Sequence, residues 1–151
     1  MRAREYQHED RLRLVEILKR NIPKYFSESE ISEFEGYLDK KQWDYHHVYL
    51  NSEGRVVGCA GFYLKSPDAI GLTWVFFEPG QLGATLARKE LERYLSIAAH
   101  HICPNGNAML LLNTTPRVAK LMQRFGFTVT SVEEDGYESG YDRVGMEKRL
   151  G

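Results

Sequence analysis

The sequence predicts an α/β domain built on one mixed sheet with helices on both faces. Three observations carry that prediction. Strand-like apolar runs alternate with amphipathic helical segments in the second half of the chain. Hairpin-like turns surround this alternation. One long run, Ala69–Phe77, is apolar at nearly every position, as in a strand covered on both sides. At 151 residues the chain fits one domain, spanning 1–151, with enough length for a core without metal or disulfide staples.

The elements follow in order. Arg2–Tyr6 reads as an edge strand. Asp10 is placed to cap a helix that puts Leu14, Val15 and Leu18 on one face and stops near Ile22-Pro23. Ser27 with Glu30 forms a capping box, and Ile31, Phe34 and Leu38 follow at helical spacing. Strands are expected at His47–Leu50 and Val56–Tyr63, joined through Ser52-Glu53-Gly54, and then at Ala69–Phe77. A helix over Thr85–Ala99 and a short buried strand, Ala108–Leu112, come next. Pro116 opens a helix through Phe125, which Gly126 ends. Strands Thr128–Val132 and Arg143–Leu150 flank an acidic loop, Glu133–Asp142.

Composition excludes several classes. With 20 basic against 21 acidic residues and a net charge of -1, the chain lacks the basic surplus of a nucleic-acid binder. Cys59 and Cys103 make no disulfide framework, which points to a reducing compartment and a cytoplasmic protein. The start, MRAREYQHED, has no signal-peptide core, and no apolar run approaches a membrane span. No metal is expected. His46 and His47 point to opposite faces of a strand, and His100-His101 with Cys103 lacks a matched ligand set.

The most informative stretch is the strand Ala69–Phe77 running through Glu78-Pro79-Gly80-Gln81-Leu82-Gly83 into a helix at Thr85. A strand, a glycine-bearing loop and a helix N-terminus offer unpaired N–H groups and a positive helix end to an anion. A plain connector would read the same way. With the element order, Val56-Val57-Gly58-Cys59-Ala60-Gly61, the segment Asn113–Phe127 and the closing Asp135-Gly136-Tyr137, Asp142-Arg143 and Met146-Glu147, this junction resembles the GNAT superfamily of acetyl-CoA-dependent N-acetyltransferases. The resemblance covers essentially the whole chain. It implies a mostly antiparallel mixed sheet and acetyl-CoA as co-substrate.

It also implies site residues. The pantetheine arm would pair with Val75, Phe76 and Phe77. The pyrophosphate loop falls on Leu82, Gly83, Ala84, Thr85, Leu86 and Ala87, with Arg88 beside it, and Asn113, just past the following strand, is a further cofactor-binding candidate. Here Leu82 replaces a polar residue, Thr85 replaces a glycine, and Met122 stands where the family often has a proton-donating tyrosine. Tyr137 or Tyr141 is the expected substitute. The N–H of Phe77, or of a neighbour, is a candidate donor to the developing oxyanion, and Glu78, Glu33 or Glu35 a candidate proton acceptor. Segments Ser27–Asp39 and Glu133–Asp142 are acidic without any Lys or Arg, which favours a cationic amine of a small molecule or peptide as acceptor. Neither nucleic acid nor membrane is an expected partner, and a homodimer is a possible assembly. The alternative from a different class is a non-catalytic acyl-CoA-binding module.

Overall fold

The computed structural model describes residues 1–80, 89, 92, 93, 95–97, 100, 101 and 108–150. The elements are β1 (Arg2–Glu5), a short 3-10 turn (His8–Asp10), α1 (Arg11–Arg20), α2 (Glu30–Lys40), β2 (Tyr45–Leu50), β3 (Val56–Ser66), β4 (Ala69–Phe77), β5 (Ala108–Thr114), α3 (Pro116–Gln123), β6 (Thr128–Glu138) and β7 (Tyr141–Leu150). The described positions between Lys89 and Ile97 are helical and lie where the Thr85–Ala99 helix is expected, and His100 and His101, beyond its expected end, are helical too. Seven strands form one sheet in the order β1-β2-β3-β4-β5-β7-β6. Every neighbouring pair is antiparallel except β4 and β5. The sheet is mixed and mostly antiparallel, as expected.

Strand alternation divides the buried side chains between two cores. On one face α1 and α2 cover Val48, Leu50, Cys59 and Phe76, with Leu14, Ile17, Leu18 and Phe34 facing them. On the other, Leu95 and α3 cover Tyr49, Phe62, Ile70, Leu110 and Met146. Ile70 and Leu72 of β4 belong to one core and Phe76 to the other, which accounts for its unbroken apolarity.

Local structure departs from expectation at instructive places. Asp10 does not cap α1 with its side chain. Its carboxylate accepts the Gln7 N–H at 2.9 Å and two bonds from the Arg4 guanidinium at 2.8 Å, closing the 3-10 turn instead. Half of the Ser27–Glu30 box forms: the Glu30 carboxylate accepts the Ser27 N–H at 2.7 Å, while the Ser27 hydroxyl turns to Ser29. Asn51 closes the β2–β3 turn by accepting the N–H groups of Glu53 and Arg55, each at 3.0 Å. The end of α3 is a Schellman arrangement, with Phe127 N–H to Met122 O, Gly126 N–H to Gln123 O, and Gly126 at φ +89°.

The acidic loop Glu133–Asp142 is largely strand. β6 and β7 extend through it as a long edge hairpin. Asp135 at φ +53° introduces an irregularity, and its carboxylate accepts the Gly140 N–H at 2.7 Å. An edge strand exposed on both faces needs no apolar alternation, so its polar composition hid it.

Gly58 is a close-approach position. A Cβ there would lie 2.7 Å from the backbone oxygen of Phe76 and 2.5 Å from the Phe77 ring. Because backbone must move, Gly58→Ala should destabilise by about 1–3 kcal/mol. A thermal melt reads this as a loss of about 2–4 °C per kcal/mol; an unchanged melting temperature would contradict it.

Candidate functional site

The site begins with a defect in β4. Trp74 sits at φ +49°, and the β3–β4 register slips there between Cys59 and Gly61, so β4 carries one extra residue. Such a bulge bends and twists its strand. Cys59 Sγ donates to the Trp74 carbonyl at 3.2 Å. The parallel ladder with β5 runs only from Ala69–Met109 to Leu72–Leu112. Beyond it β5 continues along β7, whereas β4 diverges to Phe77. The sheet is forked at its centre.

Strand geometry aims the freed backbone into this fork. Glu78 N–H donates to Val57 O at 2.7 Å, toward β3. Alternation therefore sends the N–H and C=O of Phe77 to the opposite edge, where no β5 residue pairs with it. The Phe77 carbonyl is taken by Asn21 Nδ2 at 2.9 Å, and the same amide nitrogen reaches Ile17 O at 2.9 Å. Asn21 thereby ties the end of α1 to the end of β4.

Three cavities meet around the fork. A cavity of about 280 Å³ lies between the end of β4, the α1–α2 connection and α3, bordered by Val75, Phe76, Phe77, Glu78, Val118 and Leu121, with Lys24 and Arg124 at its rim. A second, of about 200 Å³, is bordered by Trp74, Thr73, Phe26, Glu30, Glu33, Asn113, Tyr137 and Arg143. An outer groove of about 620 Å³ runs past Lys24, Tyr25, Thr115, Arg117 and Tyr141. Phe26 borders the first two, and Thr115 borders the second and the groove. Thr115 Oγ1 donates to Tyr25 O at 3.2 Å, fastening the α1–α2 connection to the start of α3.

The inner cavity is acidic, and the fold selects which acids face it. Ser29 Oγ donates to Glu138 Oε2 at 3.1 Å, which joins the two acidic segments. Glu35 and Asp39 are instead held by Arg11, at 3.2 and 3.0 Å. Glu30 is only 9% exposed. Burial raises its carboxyl pKa, and Glu33 and Glu138 push the same way against the Ser27 N–H. Tyr137 is half-buried, and burial raises its pKa too, keeping its hydroxyl protonated. Arg143 stands over the Tyr137 ring at 5.1 Å and pairs with Glu133 at 3.8 Å.

The expected site residues fall as follows. Val75, Phe76 and Phe77 border the first cavity. Leu82, Gly83, Ala84, Thr85, Leu86, Ala87 and Arg88 lie outside the described residues. Asn113, expected beside the cofactor, borders the inner acidic cavity. Tyr137 borders that cavity and Tyr141 the outer groove, so the two candidates are separated. Glu78 is clamped between Arg13, at 3.0 Å, and Arg20, on the wall of the first cavity. Met122 is buried in the core and fills space there. Sequence reasoning passed over Glu30 as a helix cap; the signal was a capping-box glutamate inside an otherwise uncompensated acidic segment. Among the described residues, no cluster of three or more metal-ligating side chains occurs and no helix is long and apolar enough to cross a membrane.

No protein-family model matches the sequence, and no curated protein matches it. Solved structures do match over nearly the full chain. A protein from Desulfovibrio desulfuricans assigned to the GNAT acetyltransferase family superposes with a TM-score of 0.74 at 16% identity, covering 99% of this chain and 98% of that one. Ribosomal-protein-alanine N-acetyltransferase from Brucella melitensis gives 0.71 at 18%, with coverages of 99% and 100%. Spermidine N-acetyltransferase from Vibrio cholerae, in complex with CoA and spermine, gives 0.70 at 15%, with coverages of 98% and 94%. The chain has the GNAT acetyltransferase fold.

Proposed function

We propose that this protein transfers the acetyl group of acetyl-CoA to an amine, directly within a ternary complex. The observation that carries the reading is the fork at Trp74, which sets a cavity with a free strand edge on one side and an acidic cavity on the other. The first cavity suits the cofactor arm. Val75–Phe77 offer backbone for an extended amide chain, Val118 and Leu121 an apolar wall, and Arg124 a cation at the rim. The neighbouring structures that hold CoA have this fold.

When bound, acetyl-CoA supplies the acetyl group as a thioester. The Phe77 N–H, free of β5, is the donor we assign to the developing oxyanion. The amine arrives as an ammonium, and Glu30 takes its proton, directly or through water. The neutral nitrogen then attacks the carbonyl carbon, the C–N bond forms and the C–S bond breaks. As the C–S bond breaks, Tyr137 or Tyr141 passes its hydroxyl proton to the departing thiolate and takes up the second proton of the attacking nitrogen, so that the amide and the thiol both leave neutral. Glu78, locked by two guanidiniums, serves to hold the end of β4 against α1.

CoA at about a hundredfold its dissociation constant should add about 2.7 kcal/mol of stability. That corresponds to a rise in melting temperature of about 5–10 °C at this chain length. Free-thiol release across a panel of primary amines then measures turnover. No thermal shift with millimolar CoA would sink the reading. Binding without thiol release on any amine would favour the acyl-CoA-binding module, which the burial of Met122 at the usual tyrosine position keeps in view.

A further inference from the structure

We propose that the amine acceptor is amphoteric, carrying a carboxylate or phosphate remote from its amine, and that Lys24 and Arg117 in the outer groove bind that anion. This rests on the acetyl-transfer reading above. The observation behind it is a segregation of charge along one cleft. Glu30 and Glu33 border the inner cavity, where the amine must sit to meet the fork. The cation there, Arg143, is engaged by Glu133 and by the Tyr137 ring. The outer groove begins at Thr115, which the two spaces share, and no acidic residue borders it.

Neither cation of the groove has an ion pair among the described residues. Lys24 lies over the Tyr25 ring at 5.2 Å, a contact that leaves its ammonium exposed to the groove. Arg117, at the second position of α3, is exposed. Two uncompensated cations at the mouth of a concave space raise the local concentration of anions and repel a second positive charge. A diamine would satisfy the inner cavity and be opposed at the groove. An amine bearing an anion at its far end satisfies both. The hydroxyls of Tyr25 and Tyr141, on the groove wall, add neutral donors suited to carboxylate or phosphate oxygens.

The test compares acceptors of equal chain length: ω-amino acids, aminoalkyl phosphates and diamines, each with the intact protein and saturating acetyl-CoA. We expect kcat/KM for one of the anionic series to exceed that for the diamines by about tenfold or more, equivalent to at least about 1.4 kcal/mol. The stronger series identifies the anion. The preference should shrink as salt rises toward 1 M, where the screening length falls to about 3 Å. Arg117→Met should reduce the preference through the acceptor KM while leaving the KM for acetyl-CoA unchanged, because Arg117 does not border the first cavity. Diamines equal to or better than the anionic acceptors would overturn the proposal, as would a preference untouched by Arg117→Met. Should turnover be slow throughout, the CoA-saturated protein should still gain melting temperature with the anionic amines and not with diamines; equal shifts would overturn it too. Failure of CoA itself to bind would count against the acetyl-transfer reading instead.

Discussion

Glu30→Gln should lower kcat by about 10²- to 10⁴-fold, the range a positioned general base contributes. The substitution is close to isosteric, and its amide oxygen can still accept the Ser27 N–H that now holds the carboxylate at 2.7 Å. CoA affinity should not change, because Glu30 borders the inner cavity and not the one assigned to the cofactor. The pH profile gives a second reading. A base must be ionised, so kcat/KM in the parent should fall on acidification with an apparent pKa above that of an ordinary glutamate, following the upward push of burial and of Glu33 and Glu138. That acidic limb should vanish in the variant. A folded-state carboxyl pKa raised above its unfolded value costs stability once the group is ionised. The variant should therefore melt at or above the parent temperature at neutral pH. Turnover within about threefold of the parent would remove Glu30 from the proposed chemistry, since general-base loss is larger than that.

The second large effect belongs to stability. His46 is buried among Tyr6, Tyr37 and Trp43, and its Nδ1 shares a hydrogen bond of 3.1 Å with the Tyr37 hydroxyl. Burial, with a smaller contribution from His47, pushes its pKa down to about 3, against partial support from Asp10. The unfolded chain binds a proton at this residue near pH 6.5, and the native state refuses it until about pH 3. Stability is therefore complete above about pH 6.5 and should be lost on acidification through that window, by up to about 1.4 kcal/mol per pH unit from this group. His46→Phe leaves the Tyr37 hydroxyl without its partner and costs stability at neutral pH. Its diagnostic effect is on slope: the dependence of unfolding free energy on pH between about 6.5 and 3 should be shallower than in the parent by that amount. Parallel slopes in denaturant titrations at several pH values would show that His46 does not carry the acid sensitivity.

Much of the fold was legible because it is written in local periodicity. Ala69–Phe77 has the same limits in sequence and structure, and α1 and α2 present the faces that their spacing implies. The misses share one cause. β6 shows no alternation because neither of its faces is buried, and Asp10 served a turn rather than a helix because Arg4 was within reach. The bulge that forks the sheet was invisible. A left-handed backbone is ordinarily signalled by glycine, asparagine or aspartate, and here a tryptophan adopts it. Its neighbours hold it: Cys59 on its carbonyl, and Phe26 and Phe34 around its ring.

By itself, the sequence determined the order of the elements, a single α/β domain and two acidic segments without compensating cations. Only the tertiary structure decided which of the acidic residues are held by guanidiniums and which border the cavity beside the fork. Glu78 looked free in sequence; it is neutralised by guanidiniums 65 and 58 residues away on α1. Glu35 and Asp39 are both paired with Arg11, 24 and 28 residues away. Glu30, which looked committed to a helix cap, keeps that contact and lies buried beside the fork. The reason is physical. Periodicity is a property of neighbours along the chain, whereas the charge state and reach of a carboxylate depend on burial and on partners that folding brings from elsewhere.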